Sequence, residues 1–363
     1  MFHKNGVLET FWLYYSLYLF IFVQGLFFQM MSYPRNSLNM KSVLSSRSLE
    51  SSIIDLESKA LFPKLSEYAL REGLDVEDFS VQISHLFTQY FLQTYQRYKQ
   101  ITLYFSKQSL NLKEVYLPLT WRVDRILSNL RYRINHYPKQ IMDKFKKILV
   151  TGEKDSGKTT MLKRMYLDVV DRAYGIPFYI LLDNLTEKHT ILDEVCEQLN
   201  LSSTDYSEEQ IMGLIRKGGF IFFIDMLSSF YRNTKSCDKI LDGIMDFIEN
   251  AGDNIFVVSI GHDTSEERFW EFQRTEVEAL DEMEIMQLLR KYEYYGAKTE
   301  GDILEKLPMM DMKYTGDIYE NPSNAVFLYD CYASGKNLLM PKPDTKSILF
   351  AKDHEFSRPP LLI

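Results

Sequence analysis

Eight residues in the middle of the chain, Gly152 to Thr159, have the types and spacing that bind a triphosphate. They match G-x-x-x-x-G-K-[ST] at every position. The two glycines permit backbone torsions closed to other residues, so successive N–H groups can converge on phosphate oxygens. Lys158 is placed to reach the β- and γ-phosphates, and the Thr159 hydroxyl to hold Mg²⁺. The predicted nucleotide-binding residues are Gly152, Glu153, Lys154, Asp155, Ser156, Gly157, Lys158, Thr159 and Thr160.

The segments on either side of this loop have the order that the motif requires. Lys147 to Thr151 is a short apolar run, which predicts a buried parallel strand. After the loop, apolar residues recur at helical spacing from Met161 to Val170, and the run ends at Gly175. The N-terminus of such a helix adds the positive end of its dipole to a phosphate site. The context therefore favours a phosphate-binding loop over a chance glycine turn.

A second candidate, Asp225, ends the apolar run Phe220 to Ile224. An acid at the carboxyl end of a strand beside the loop can reach the water shell of Mg²⁺. Many strands end in Asp for turn reasons, so the prediction depends on the position of this residue after the loop. We predict Lys158 and Asp225 as the catalytic pair, and Thr159 and Asp225 as the magnesium-binding residues.

The residues after Asp225 argue against rapid turnover. Hydrolytic enzymes of this kind commonly carry a further carboxylate that orients the attacking water. Here the next four residues are Met-Leu-Ser-Ser, without an acid. A later apolar run ends near Ser259 and His262, which could face a γ-phosphate, although a solvated turn is an alternative for His262. We expect slow or absent hydrolysis.

Apolar runs alternate with helical stretches from Leu149 onward, which predicts an α/β fold with a parallel sheet covered on both faces. The predicted strands are Lys147–Thr151, Ile176–Asp183, Gly218–Leu227 and Asn254–Gly261. The predicted helices between them are Ile191–Leu201, Glu208–Gly218 and Asp238–Gly252.

The order of these parts resembles the NACHT branch of the STAND signal-transduction NTPases. The segments that carry it are VYLPLTW, KILVTGEKDSGKTTMLKRM, IPFYILLDNL, GGFIFFIDML, NIFVVSIGHD, EVEALDEMEIMQLLRKYEYYG and NPSNAVFLYDCY, within residues 113 to 335. The resemblance implies ATP or ADP with Mg²⁺ as cofactors, Asp225 as the Walker B acid and Pro322 near the adenine. It also implies a short strand ending at Leu280 and a helix capped by Asp281.

The sequence departs from this family in three places. Met226 stands where a small residue is usual, and Ser228 and Ser229 stand where acids are usual. Gly261 and His262 occupy the place of a common arginine. The residues after Tyr332 are too few for a winged helix or a repeat array, so the chain resembles a short form of the family without an evident sensor.

The resemblance implies a molecular switch, in which nucleotide controls conformation and oligomerisation during signalling or defence, such as anti-phage immunity in a prokaryote. The alternative is an active ATPase of the AAA type or another P-loop enzyme, for which Arg268 and Arg274 are the nearest candidates for a trans-acting arginine. A third alternative, an interaction protein with a vestigial loop, is disfavoured by the intact motif. Adenine is favoured by default, because no guanine-reading pattern follows the third strand.

The amino-terminal region predicts a membrane anchor. Residues 10 to 34 carry no charge over 25 positions, which is long enough to span a bilayer. Arg35, Lys41 and Arg47 follow, so the remainder is expected on the cytoplasmic side. The alternative is translation from a later methionine, at 30, 31 or 40, which gives a cytoplasmic protein. A cleaved signal peptide is disfavoured, because no A-x-A-like site is present.

Composition and spacing complete the predicted organisation. The net charge of −8 argues against nucleic acid as a partner, and three scattered cysteines indicate a reducing compartment. The aromatic residues near Phe87 predict a helical core face rather than a base-stacking surface. The predicted domains are 1–34 (anchor or mis-assigned start), 35–52 (linker), 53–112 (helical region), 113–280 (P-loop domain), 281–335 (small helical subdomain) and 336–363 (tail).

Overall fold

The computed structural model describes residues 49–103, 107–123, 130–201, 207–225, 234–261 and 266–296, and also residues 322, 325, 326, 329 and 330. The chain divides into two units, residues 1–50 and 51–363, and every labelled strand and helix below belongs to the second. The predicted anchor (10–34), most of the linker and the tail lie outside the described residues.

Seven of the described strands form one mixed sheet in the order β4-β3-β9-β5-β8-β7-β6. Strands β5, β6, β7, β8 and β9 are parallel, whereas β3 pairs antiparallel with both β4 and β9. Their bounds are β3 Leu119–Val123, β4 Leu130–Ile134, β5 Lys147–Thr151, β6 Ile176–Leu181, β7 Phe220–Asp225, β8 Ile255–Ser259 and β9 Gln273–Val277. Two further strands, β1 Gln100–Thr102 and β2 Ser109–Asn111, form a separate antiparallel ribbon. The predicted α/β class is confirmed.

Residues 49–56 are helical, and the structure also gives the bounds of nine α-helices. They are α1 Phe62–Glu72, α2 Val76–Lys99, α3 Leu112–Val115, α4 Lys139–Phe145, α5 Lys158–Arg172, α6 Ile191–Gln198, α7 Glu208–Ile215, α8 Thr234–Asn250 and α9 Glu282–Gly296. A π-helical turn, Glu57–Leu61, precedes α1. Among the described residues, no helix combines the length and the apolar character that a bilayer crossing requires.

Several predicted boundaries are wrong, for local reasons. Strand β6 ends at Leu181, because Leu182–Asn184 forms a 3₁₀ turn. Strand β7 begins only at Phe220, because Gly218 and Gly219 have φ of 76° and 89°, outside the β region. Helix α8 begins at Thr234, ahead of the predicted start. Strand β9 ends at Val277 rather than at Leu280.

The helix ends show why the chain folds locally in this way. Asp75 caps α2 by accepting a hydrogen bond from the Asp78 amide at 2.9 Å. Thr190 and Ser207 form capping boxes at α6 and α7. The predicted cap of α9 is confirmed, because the Asp281 carboxylate accepts from the Glu284 amide at 2.8 Å.

Helix α2 packs its aromatic face directly on the sheet. Phe87 lies 6.0 Å from Phe178 in β6 and 6.4 Å from Phe220 in β7, measured between ring centroids. Tyr90 stacks on Phe178 at 4.9 Å, and Tyr98 meets Tyr166 of α5 edge-on at 5.3 Å. Each such ring contributes roughly 1.5–3 kcal/mol by leaving water. The prediction that this face is core is confirmed.

Candidate nucleotide site

The loop between β5 and α5 takes torsions that only glycine adopts easily. Gly152 has φ of 149° and Gly157 has φ of 93°. A Cβ on Gly152 would lie 3.2 Å from the Val277 backbone oxygen, and one on Gly157 would lie 3.1 Å from Leu119 Cδ1. Residues of β9 and β3 therefore lie against the loop at Gly152 and Gly157. A larger side chain at either glycine would distort the loop. Asp155, at φ of 62°, makes the left-handed turn between them.

Lys158 is the first residue of α5, and its buried side chain lies against the loop. Its Nζ donates to the carbonyl oxygens of Gly152 at 2.8 Å and Glu153 at 2.5 Å, and to Ser156 Oγ at 3.3 Å. Burial lowers the pKa of Lys158, and the negative charges of Asp225, Asp155 and Glu153 oppose that shift. An anion inside the loop would oppose it further, so this ammonium is suited to a phosphate.

The remaining loop residues differ in exposure. Glu153 and Lys154 are exposed, Ser156 is buried, and Asp155, Thr159 and Thr160 are half-buried. Thr159 and Thr160 lie in the first turn of α5, whose leading N–H groups have no acceptor within the helix. Their side chains and amides therefore lie at the end of the helix where anions bind.

Asp225 is the last residue of β7 and is 1% exposed. Its Oδ2 accepts a hydrogen bond from the Tyr179 hydroxyl at 2.6 Å. In the sheet register it pairs with Leu181 of β6 and with Ser259 of β8. Strand β8 thus separates Asp225 from β5, yet the carboxyl ends of all these parallel strands meet at one edge, where the loop also begins.

Ser259 ends β8 between the two motifs. It pairs with Val150 of β5 on one side and with Asp225 on the other. The residue is fully buried, and its Oγ has no hydrogen-bond partner within the described part of the chain. The prediction placed a polar group here, and the structure brings it to the same edge. His262, Met226, Ser228 and Ser229 lie outside the described residues.

Two residues at this edge were missed by the sequence analysis. Tyr179, in the middle of an apolar strand, holds Asp225, and Lys163 of α5 lies with its Nζ 5.6 Å from the centroid of the Tyr98 ring. Asp225 opposes the lowering of the Lys163 pKa that burial causes. The sequence contains only a weak indication of this role. A tyrosine in a buried strand is expected to need a hydrogen-bond partner for its hydroxyl, but the sequence does not show which residue that partner is.

The other candidates have separate roles or stay predictions. Arg268 pairs with Asp238 and Asp242 of α8, so it links the 3₁₀ turn Glu266–Phe269 to that helix. Arg274 is half-buried in β9 and has polar partners of its own. Pro322 is buried and has helical conformation. Its position near an adenine stays a prediction. Burial raises the pKa of the free Cys196 thiol to about 12, so it is unreactive.

A histidine and two glutamates gather beyond β6, although the sequence showed no ligand spacing. Side-chain ligand atoms of His189, Glu194 and Glu197 lie within 4.8 Å of one another. The buried Glu194 already accepts from Asn184 at 3.1 Å and from Gln198 at 2.8 Å, and lies 3.2 Å from His189 Nε2. Both carboxylate oxygens of Glu194 therefore already have partners within the protein. These contacts account for the position of Glu194 and require no bound metal ion.

The donor set around the loop suits a phosphate with a divalent cation. The loop supplies backbone N–H groups and one ammonium that can bind an anion, while a threonine hydroxyl and one buried carboxylate are the oxygen ligands that Mg²⁺ prefers. The two glycines add no side chains to the loop. The chain has a P-loop nucleotide-binding fold. This conclusion depends on the strand order and the loop geometry.

Comparison with known proteins adds a distant likeness. No protein-family model matches the chain, and no curated protein matches it. Among solved structures, it is similar to AMPPCP-bound DnaA from Aquifex aeolicus, with 13% sequence identity and a TM-score of 0.35. The match covers 60% of this chain and 66% of that chain.

Proposed function

We propose that this protein is an ATP-binding molecular switch of the NACHT and STAND type. Bound nucleotide controls its conformation and oligomerisation, and hydrolysis is slow or absent. The observation that carries the proposal is the arrangement of Lys158 over the loop and buried Asp225 two strands away, followed by four residues without an acid. This set can bind a magnesium nucleotide, but the four residues that follow Asp225 in the sequence supply no carboxylate to orient water.

In this proposal each group has a defined task. The loop amides and Lys158 hold the phosphates, Thr159 and Asp225 hold Mg²⁺, and Pro322 contacts the adenine. The magnesium ion would neutralise phosphate charge when bound. Asp225 stays deeply buried and oriented by Tyr179, so it is ready to bind without rearrangement.

A switch needs a second part that moves. Helix α9 begins the predicted small helical subdomain and packs against α3 and β2. Lys291 Nζ donates to the Tyr116 carbonyl oxygen at 2.8 Å, and Glu284 pairs with Arg133 of β4. A ligand shifts such a contact only by the difference between its affinities for the two states, and in this proposal the nucleotide supplies that difference.

The partners and location follow from the same proposal. An unidentified trigger or effector protein acts on the switch, and activation forms a homo-oligomer. Residues 10–34 anchor it at the cytoplasmic face of a membrane, or the protein is cytoplasmic if translation starts downstream. A role in signalling or defence is implied by the resemblance alone.

The test is nucleotide carried by the full chain after purification in detergent without added nucleotide. We expect ADP or ATP on the wild-type protein and none on Lys158→Ala. Lys188→Ala removes the same charge at an exposed position outside the loop and is the matched control. Guanine nucleotide, or equal amounts on all three proteins, would contradict the proposal.

An active ATPase of the AAA type is the second candidate. The buried hydroxyl of Ser259, which has no hydrogen-bond partner among the described residues, lies beside Asp225 and favours it, because a polar group at this edge can contact a phosphate or its attacking water. Sustained hydrolysis that Lys158→Ala abolishes would move this candidate to first place.

A further inference from the structure

The partner of Asp225 lies on the neighbouring strand, where the sheet register places it. Strands β6 and β7 are parallel, and Tyr179 pairs with Phe223 while Leu181 pairs with Asp225. Side chains two residues apart on a strand share a face, so Tyr179 and Asp225 are diagonal neighbours on one face of the sheet. The 2.6 Å hydrogen bond from the tyrosine hydroxyl to Oδ2 follows from this register.

The surroundings fix both ends of this hydrogen bond. Tyr179 is 1% exposed, and its ring lies 4.7 Å from that of Tyr98. The phenol hydroxyl of Tyr179 is the donor of this hydrogen bond, and the Asp225 carboxylate accepts it. Gln198 Nε2 donates to the Tyr179 carbonyl oxygen at 3.0 Å and holds the strand from the other side.

The two oxygens of Asp225 are therefore unequal. Among the described residues, Oδ2 has Tyr179 as its donor and Oδ1 has none. A carboxylate with one oxygen fixed and the other open is arranged for a cation or its water shell.

We propose that Tyr179 is a positioning residue for magnesium: it fixes the rotamer of Asp225 so that Oδ1 faces the cation bound with the nucleotide. The inference rests on the nucleotide site proposed above. Tyr179 touches neither nucleotide nor metal, and its effect passes through the Asp225 carboxylate.

The test separates magnesium from nucleotide binding. A fluorescent ATP analogue is titrated into the full chain with Mg²⁺ and then with EDTA, and the ratio of the two affinities is the magnesium effect. Loss of a group that orients a metal ligand typically costs about 10- to 100-fold in metal affinity. We expect Tyr179→Phe to reduce the magnesium effect by about tenfold and to leave the affinity in EDTA within about twofold of wild type.

Tyr90→Phe is the matched control. Tyr90 is also buried and donates to the same strand, but to the Pro177 carbonyl oxygen at 3.2 Å, not to Asp225. The Tyr90→Phe variant also loses one buried, hydrogen-bonded phenol hydroxyl, so its free energy of unfolding should fall as in Tyr179→Phe. Its magnesium effect should stay at the wild-type value. The free energy of unfolding in urea is measured for both variants, so that a folding defect shared by Tyr179→Phe and Tyr90→Phe is separated from a magnesium defect that only Tyr179→Phe shows.

The outcomes distinguish this inference from the proposal beneath it. A Tyr179→Phe chain with the full wild-type magnesium effect, beside an Asp225→Asn chain that loses it, overturns the role of Tyr179 alone. A wild-type chain that binds no nucleotide overturns both the proposed function and the inference.

Discussion

The phosphate loop and the Asp225 edge reach their geometry in different ways. The loop depends mainly on local backbone conformation, through the torsions of Gly152 and Gly157 and the helix that follows, although residues of β9 and β3 limit the space at the two glycines. The Asp225 edge is assembled from β6, β7 and β8, which bring Tyr179, Asp225 and Ser259 together from distant parts of the chain. Changes in the loop should therefore act on nucleotide binding itself, whereas changes at the edge should act on magnesium and on stability.

The largest effect is expected from Lys158→Ala. It removes an ammonium that makes charge-assisted hydrogen bonds, worth about 1.5–3 kcal/mol each, so ATP affinity should fall by about 100-fold or more. The loss should be similar with Mg²⁺ and with EDTA, measured by calorimetric titration. A loss seen only with Mg²⁺ would break the division between loop and edge.

Asp225→Asn should act almost wholly through the cation. The amide keeps the size of the side chain and an acceptor for Tyr179, but it loses the charge that attracts Mg²⁺. We expect about a 100-fold fall in magnesium affinity, the upper end for a site residue, with binding in EDTA nearly unchanged. Magnesium titration of the ATP-loaded chain measures it, and an unchanged midpoint would contradict a role for Asp225.

Gly157→Ala tests whether the loop requires the backbone torsion and the small size of glycine at this position. At φ of 93° an added Cβ is strained, and it would meet Leu119 Cδ1 at 3.1 Å. The left-handed conformation alone costs about 1–2 kcal/mol. We expect a lower free energy of unfolding by about that amount in urea, together with weaker ATP binding. Gly243→Ala is the control, because nothing lies within 4 Å of its added Cβ.

Ser259→Ala should have the smallest effect. A buried hydroxyl without a partner costs about 1–3 kcal/mol, so its removal should leave stability unchanged or raise it slightly. In a switch without rapid hydrolysis, ATP affinity should also stay within about twofold of wild type, which is about 0.4 kcal/mol. A fall in both stability and affinity would show that this hydroxyl has an essential partner.

The same contrast explains what the sequence could predict. The loop, its strand and its helix follow from glycine spacing and apolar periodicity, and these predictions are confirmed. The pairing of β3 with β4 and β9 was not predicted, because it depends on long-range contacts between separate segments. Tyr179 was missed for the same reason: its acceptor is 46 residues away along the chain. The subtype of the NTPase stays a proposal.

The most direct test of the switch is phosphate release from Mg·ATP by the full chain, measured beside Lys158→Ala. We predict binding of ATP by the wild-type chain, with phosphate release no faster than the variant and far below the roughly 1 s⁻¹ lower bound of typical enzymes. Sustained release that depends on Lys158 would contradict the central claim, because it would require another group to orient the attacking water at the Asp225 edge.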